Sequence, residues 1–275
     1  MSHIIKSFIG SDKDVASFEK RLSICIESNG FSFSVCSTDD KLLAIGEVEC
    51  NINSPIAELI SDIKNIFAEI KIQTFGLKDV RLIIPTDQMV WIPEHLFDET
   101  KKTEYLEALC KVHEGNGVFC NYNEAIKSYI VFSANNNQAS AFKIAIPGLK
   151  VTCQHAAMVN DKILSYSDMR SVMLVNIREG ESDFAIFCNK KLQLSNTFKC
   201  SCIEETLYHA LNITKQLHLE DAAMEVALCG NIDRDGYSKM RPYFPKVSLY
   251  GGRDKKLSDT EMQHVGLYRY ALILS

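Results

Sequence analysis

A chain of 275 residues, 46% apolar and 24% charged, has enough apolar surface to bury more than one core, and its composition excludes a disordered polymer. Thirty basic against 35 acidic side chains give a formal charge of −5. Both signs are scattered along the chain, which excludes general attraction to nucleic acid or an anionic membrane and leaves only local phosphate affinity.

The first residues, MSHIIKSFIGSDKD, lack the apolar core and small-residue cleavage site of an export signal. No run is apolar over the length of a membrane span. The ten cysteines lie mostly inside apolar segments, and Cys200-Ser-Cys202 and Cys153-Gln-His155 are isolated pairs without a second pair. These features predict a cytoplasmic protein with reduced, buried thiols and no metal site.

Residues 21–27 (RLSICIE) alternate apolar and polar positions, Asn29-Gly30 signals a tight turn, and residues 31–37 (FSFSVCS) alternate again, which predicts a hairpin. A third strand over residues 42–48 follows the turn at Thr38-Asp39-Asp40. Ser54-Pro55 offers an N-cap with proline at the first helical position. Ile56, Leu59, Ile60, Ile63, Ile66, Phe67 and Ile70 then recur on one helical face. Residues 80–84 (VRLII), ending at Pro85, have the profile of a strand buried on both faces.

An insertion over about residues 89–122 holds Pro93, a helix over about residues 99–112 and a turn at Gly115-Asn116-Gly117. A strand at residues 127–133 (KSYIVFS), a short helix at 137–146 and a helix at 154–164 crossing toward the second half complete the first unit.

About 150 residues after the first hairpin the same order returns. Residues 172–177 (VMLVNI), a turn at Gly180, residues 184–188 (FAIFC) and residues 192–198 predict three strands. A helix from about Ile203 and the buried-strand profile of residues 224–229 (MEVALC) follow. The unit closes with a strand at 247–250 (VSLY), a break at Gly251-Gly252 and a helix over about residues 258–273, capped by Ser258 with Glu261 three residues on. The expected fold is α/β and internally duplicated, two β-β-β-α-β-α-β-α units flanking a cleft, over residues 1–165 and 166–275.

This order, written twice, resembles the actin-like ATPase fold of the ribonuclease H-like superfamily. More narrowly, residues 82–109 (LIIPTDQMVWIPEHLFDETKKTEYLEAL) resemble an uncharacterised bacterial family known mainly from Bacteroides-type genomes, with IIPTD and IPEHLFDE carrying most of the likeness. No biochemical role comes with that family. The wider resemblance implies a cleft for ATP and Mg²⁺, in which the first hairpin of each unit wraps the phosphates with an Asp-x-Gly pattern, the carboxylate organising the metal and glycine admitting backbone N–H groups.

Several positions depart from that pattern. In the first unit Glu27 could replace the aspartate, with Gly30 out of register for the glycine. In the second, Asn176 lacks the charge, Arg178 stands where a side chain would block the backbone, Gly180 and Ser182 remain, and Glu179 and Glu181 add negative charge. The adenosine turn falls on Gly230-Asn231, one glycine of an expected pair. Asp87 or Gln88, after the fourth strand, falls where the fold often positions attacking water. A strand end is the simpler reading of Glu27 and a solvated charged turn that of residues 176–183, and a Thr-Asp turn at Asp87 needs no catalytic role.

The remaining features carry no chemistry of their own. The seven histidines form no His-x-x-x-His pair, and no Gly-x-Ser-x-Gly sequence is present. Trp91 and Phe97 read as anchors of the insertion's core or as an aromatic contact surface, and residues 100–111 as a solvated helix face. The reading that follows is a non-catalytic protein-interaction, assembly or regulatory factor on an actin-like scaffold. Its alternatives are a nucleotide-dependent ATPase or small-molecule kinase using nonstandard cleft residues, or a module binding a small anion near Arg178.

Overall fold

In residues 31–37 aromatic or branched side chains alternate with serine and cysteine, so a strand there has one bulky apolar face and one small face. The computed structural model describes residues 4–9, 20–72, 77–160, 163–164, 171–219, 224–244, 246–251, 256–257 and 266–275. It places β1 (Ile4–Ile9), β2 (Lys20–Glu27), β3 (Gly30–Ser37) and β4 (Lys41–Glu49) in one sheet. β2 and β3 pair antiparallel with Glu27 opposite Gly30, so only Ser28 and Asn29 form the turn. β4 pairs antiparallel with β3, and β1 lies along its other side.

The helix α1 (Ile56–Glu69) buries Leu59, Ile63, Ile66 and Phe67 on this sheet. It starts at Pro55 without a side-chain cap, because the Ser54 hydroxyl is buried instead of aimed at the helix end. Phe31 of β3 stacks on Phe67 (ring centroids 6.0 Å) and meets Phe142 edge-on at 5.5 Å. Each such pair adds about 0.5–1.5 kcal/mol beyond its buried area. β5 (Asp79–Ile83) then runs parallel to β2 with Leu22 opposite Val80.

A separate three-stranded sheet follows, from β6 (Met89–Pro93), a 3-10 turn at Glu99–Lys101, α2 (Lys102–Glu107), β7 (Asn116–Asn123) and β8 (Ser128–Asn135), in the order β6-β8-β7. The strand expected at 127–133 is therefore not the next core strand of the unit. It is the centre of this small sheet, which extends the insertion to Asn135. Sequence periodicity does not separate the two, since a central strand is apolar on both faces in either sheet. The expected helix over residues 99–112 is shortened to the 3-10 turn and α2. Trp91 is half-buried and packs inward, while Phe97 stacks on Tyr129 at 3.8 Å within the insertion.

After α3 (Asn136–Ala145) the core strand is β9 (Lys150–Thr152), three residues parallel to β5, followed by α4 (Gln154–Met158). The second unit repeats the plan with β10 (Ser171–Arg178), β11 (Glu181–Cys188), β12 (Lys191–Lys199), α5 (Ile203–Gln216), β13 (Met224–Gly230), α6 (Arg234–Met240) and β14 (Lys246–Leu249). Its sheet order, β12-β11-β10-β13-β14, matches the β4-β3-β2-β5-β9 order of the first unit strand for strand, with the same antiparallel meander and the same parallel crossovers.

β15 (Lys256–Leu257) pairs parallel with β4, and a 3-10 turn (Leu267–Tyr270) leads into α7 (Ala271–Leu274). The cap expected at Ser258 and Glu261 lies outside the described residues. Each unit lends a helix to the other: α4 lies against β11, α7 lies against β2 and β3, and the two helices touch. The small face of the first sheet, with Ser34 and Cys36, is the face that receives α7. Among the described residues no helix is long and apolar enough to cross a membrane, and all ten cysteines are free thiols.

Candidate functional site

β2, β3, β10 and β13 end together, and the 3-10 turn before α7 closes the side, leaving a cleft of about 510 Å³ between the two units. This volume is in the range of small-molecule sites. Of the residues singled out from the sequence, Glu27, Gly30, Arg178, Gly230 and Asn231 line this cleft. Gly180, Ser182, Asp87 and Gln88 do not.

Gly180 is in the β10–β11 turn at φ 73° and faces open space. Ser182 is fully buried and hydrogen-bonded to Thr206 at 2.8 Å, on the α5 side of the second sheet. Asp87 is half-exposed beside His113, 3.7 Å away. The buried Gln88 amide donates to the Lys111 carbonyl (2.7 Å) and accepts from the His113 N–H and the Ser133 hydroxyl (2.7 Å), so it ties the insertion together.

The two cleft glycines have steric reasons. A Cβ on Gly30 would stand 1.8 Å from the Val48 carbonyl oxygen, where β3 meets β4. A Cβ on Gly230, at φ 82°, would stand 2.3 Å from the Ile177 carbonyl, which accepts the Asn231 N–H at 2.7 Å. Glu27 is accessible to water but stands within the cleft. That partial withdrawal from bulk solvent raises its carboxyl pKa, aided by nearby Glu47 and opposed by the Ser32 hydroxyl (2.9 Å) and by Arg178 and Arg269. Glu47 accepts from Tyr270 at 2.9 Å, and Arg269 lies 3.9 Å from Glu47 and 3.4 Å from the side-chain Oδ1 of Asn231. Across the cleft mouth Ser28 of the first hairpin turn donates to Glu179 of the second.

Arg178 lines the cleft with its guanidinium paired to a residue that sequence reasoning passed over. On β10 and β11 the positions facing the first unit run Val172, Leu174, Asn176, Arg178 and Phe187, Ala185, Asp183, changing from apolar to polar at the cleft end. Asp183 is fully buried. Its Oδ2 accepts from Arg178 Nε (2.8 Å) and Asn176 Nδ2 (2.9 Å). Its Oδ1 accepts from Arg178 Nη2 (3.0 Å), Thr197 Oγ1 (2.7 Å) and Gln154 Nε2 (3.0 Å). Burial alone would push the carboxyl up, but the bidentate guanidinium and the Thr197 hydroxyl hold it at about 2. Burial works against the charge on Arg178 too, and Asp183 with Glu181 (2.6 Å) more than restores it, so its pKa rises.

The network continues into the first unit. Gln154, at the start of α4, donates to the Thr86 carbonyl (2.6 Å) and accepts the Thr86 N–H (3.0 Å). Buried His155 bonds Thr197 through Nε2 and Ser195 through Nδ1, both at 2.9 Å. The single Thr197 hydroxyl proton goes to Asp183, so Nε2 carries the imidazole proton and Nδ1 accepts from Ser195. Burial lowers the His155 pKa to about 4, against the pull of Asp183, and the ring is neutral at pH 7.

Four carboxylates, Glu27, Glu47, Glu49 and Glu179, face this cleft against two guanidiniums, and no lysine lines it. One guanidinium is held by Asp183 and Glu181 and the other leans on Glu47. A polyphosphate entering this cleft would meet more carboxylates than guanidiniums. Among the described residues no three His, Cys, Asp or Glu side chains are grouped to hold a metal ion.

A protein from Bacteroides thetaiotaomicron VPI-5482, described as having an actin-like ATPase fold and unknown function, is similar over 85% of this chain and 91% of its own, with 22% identity and a TM-score of 0.71. A chain of the PilM–PilN type IV pilus biogenesis complex is similar over 92% and 96%, with 10% identity and a TM-score of 0.56. Ethanolamine utilization protein EutJ from Carboxydothermus hydrogenoformans is similar over 97% and 93%, with 10% identity and a TM-score of 0.51. No curated protein matches the sequence. The profile of the family described as "Protein of unknown function (DUF3822)" matches residues 12–247, most of the chain. The chain belongs to that family and has the actin-like ATPase fold.

Proposed function

We infer that this protein is a non-catalytic, cytoplasmic interaction factor, built on an actin-like scaffold and acting in assembly or regulation through protein contacts. The observation that carries this reading is the fate of Arg178. It is the cation nearest the second phosphate-wrapping turn, and its guanidinium forms a bidentate pair with buried Asp183. An anion that recruited Arg178 would leave Asp183 charged, buried and without its main partner, which costs more than an exposed phosphate contact returns. The Ser28 to Glu179 contact across the cleft mouth and the four cleft carboxylates add to it. The fold of the PilM–PilN complex chain, where the described role is pilus biogenesis, is a precedent for such a scaffold in an assembly.

One observation favours the alternative, a nucleotide-dependent enzyme. Glu27 sits in the cleft with a raised pKa, as a general base would. Calorimetric titration with Mg-ATP separates the two readings. The interaction reading expects no binding heat up to millimolar nucleotide; micromolar binding, with turnover lost in Glu27→Gln, would establish the enzyme instead.

A further inference from the structure

We propose that the hydrogen-bond network centred on Asp183 locks the two units into one fixed orientation, so that the cleft does not open and close around a ligand. This goes beyond the interaction reading, because a locked cleft and an idle cleft are separate properties. Folds of this two-lobed kind close on ligands by hinge motion, which requires an interlobe contact that can slide or part at low cost. The contact found here has the opposite character.

Gln154 uses its whole amide. The carbonyl and one N–H read the Thr86 backbone of the first unit as a paired strand would, and the second N–H reaches the Asp183 carboxylate of the second unit. His155, also on the helix lent by the first unit, bonds two hydroxyls of β12, and one of those hydroxyls bonds Asp183. Gln154, His155 and Asp183 are each fully buried. A slide or opening too small to admit water would break these bonds while the groups stayed buried. Buried polar groups tolerate this poorly, and a partly satisfied network is worse than none.

A second fastening lies at the other lent helix. Ser34 donates to the Ile273 carbonyl at 2.9 Å, and the Arg81 guanidinium bonds the Leu272 and Ile273 carbonyls at 3.4 and 3.3 Å. The two lent helices also touch each other, so both fastenings bear on the same junction between the units. Any partner that binds across both units then meets a preformed surface.

Gln154→Leu tests the lock while leaving the Arg178–Asp183 pair intact. The unaltered protein is expected to unfold in one thermal transition. The variant is expected to unfold in two, with backbone amides of residues 26–30 and 176–178, on opposite cleft walls, exchanging at least about tenfold faster. A merely local role for Gln154 would speed exchange at Thr86 alone, with one transition kept, and that result overturns the proposal. Should the variant not fold, native-state hydrogen exchange of the unaltered protein decides. The lock requires the amides of β5 and β10 to share one opening step across a urea series, and separate openings refute it. Neither experiment depends on nucleotide, so the lock can fail while the interaction reading stands, and the reverse.

Discussion

Arg178→Met is expected to lower the stability of the folded protein by about 3–5 kcal/mol, the cost of removing one partner from a buried ion pair. Methionine keeps most of the stem's packing, so the loss reports the stranded charge on Asp183, whose side chain is fully buried. The sign of its pH dependence is specific. In the unaltered protein Asp183 titrates at about 2, below its ordinary 3.8, so its stabilising contribution is present above about pH 3.8 and is lost as pH falls toward 2. Without Arg178 burial acts with less opposition and raises the carboxyl. Protonation then relieves the penalty, and the deficit of the variant shrinks as pH falls below neutrality. Urea unfolding at several pH values measures both effects; a loss under about 1 kcal/mol at pH 7 would show that Arg178 is an ordinary surface cation.

The second large effect belongs to His155. Its folded pKa of about 4 lies below the ordinary 6.5, so the unfolded chain binds a proton between those values that the folded chain refuses. Stability is therefore full above about pH 6.5 and falls as pH drops toward 4. Across that window the loss is roughly 3 kcal/mol. His155→Gln keeps a donor and an acceptor but cannot titrate. It is expected to flatten the stability profile across this window, measured by denaturant midpoints between pH 4 and 7. A profile as steep as that of the unaltered protein would show that groups other than His155 carry the pH dependence.

Much of the scaffold could be read from residue patterns. The turn signal at Asn29-Gly30, one residue late for the Ser28-Asn29 turn, the FSFSVCS alternation and the VRLII and MEVALC runs lead to the two matching sheets, because side-chain periodicity and turn chemistry are local properties. β9 was invisible for the same reason: three residues, KVT, are too few to show a period. Strand β8 was legible as a strand but not as part of the small sheet, since strand partners are set by tertiary packing.

The cleft was legible in part. Glu27, Gly30, Arg178, Gly230 and Asn231 fall on turns that the repeated order brings to one place. What Arg178 does there was not, because the stretch VNIREGESD reads as a charged turn. The available signal was the two-residue period, which puts Asp183 on the inward row with Ala185 and Phe187. Its partner Gln154 lies 29 positions away along the chain, on the lent helix, and Gln154 in turn bonds the Thr86 backbone of the first unit.

Hydrogen exchange of the full chain, with and without saturating Mg-ATP, bears most directly on a cleft whose shape is set by its own ion pair and hydrogen bonds. Protection at residues 26–30, 176–180 and 230–231 is expected to be the same in both conditions. An increase of tenfold or more on adding nucleotide, on both cleft walls, would show that the cleft closes on a phosphate ligand, contrary to the internal pairing of Arg178 with Asp183.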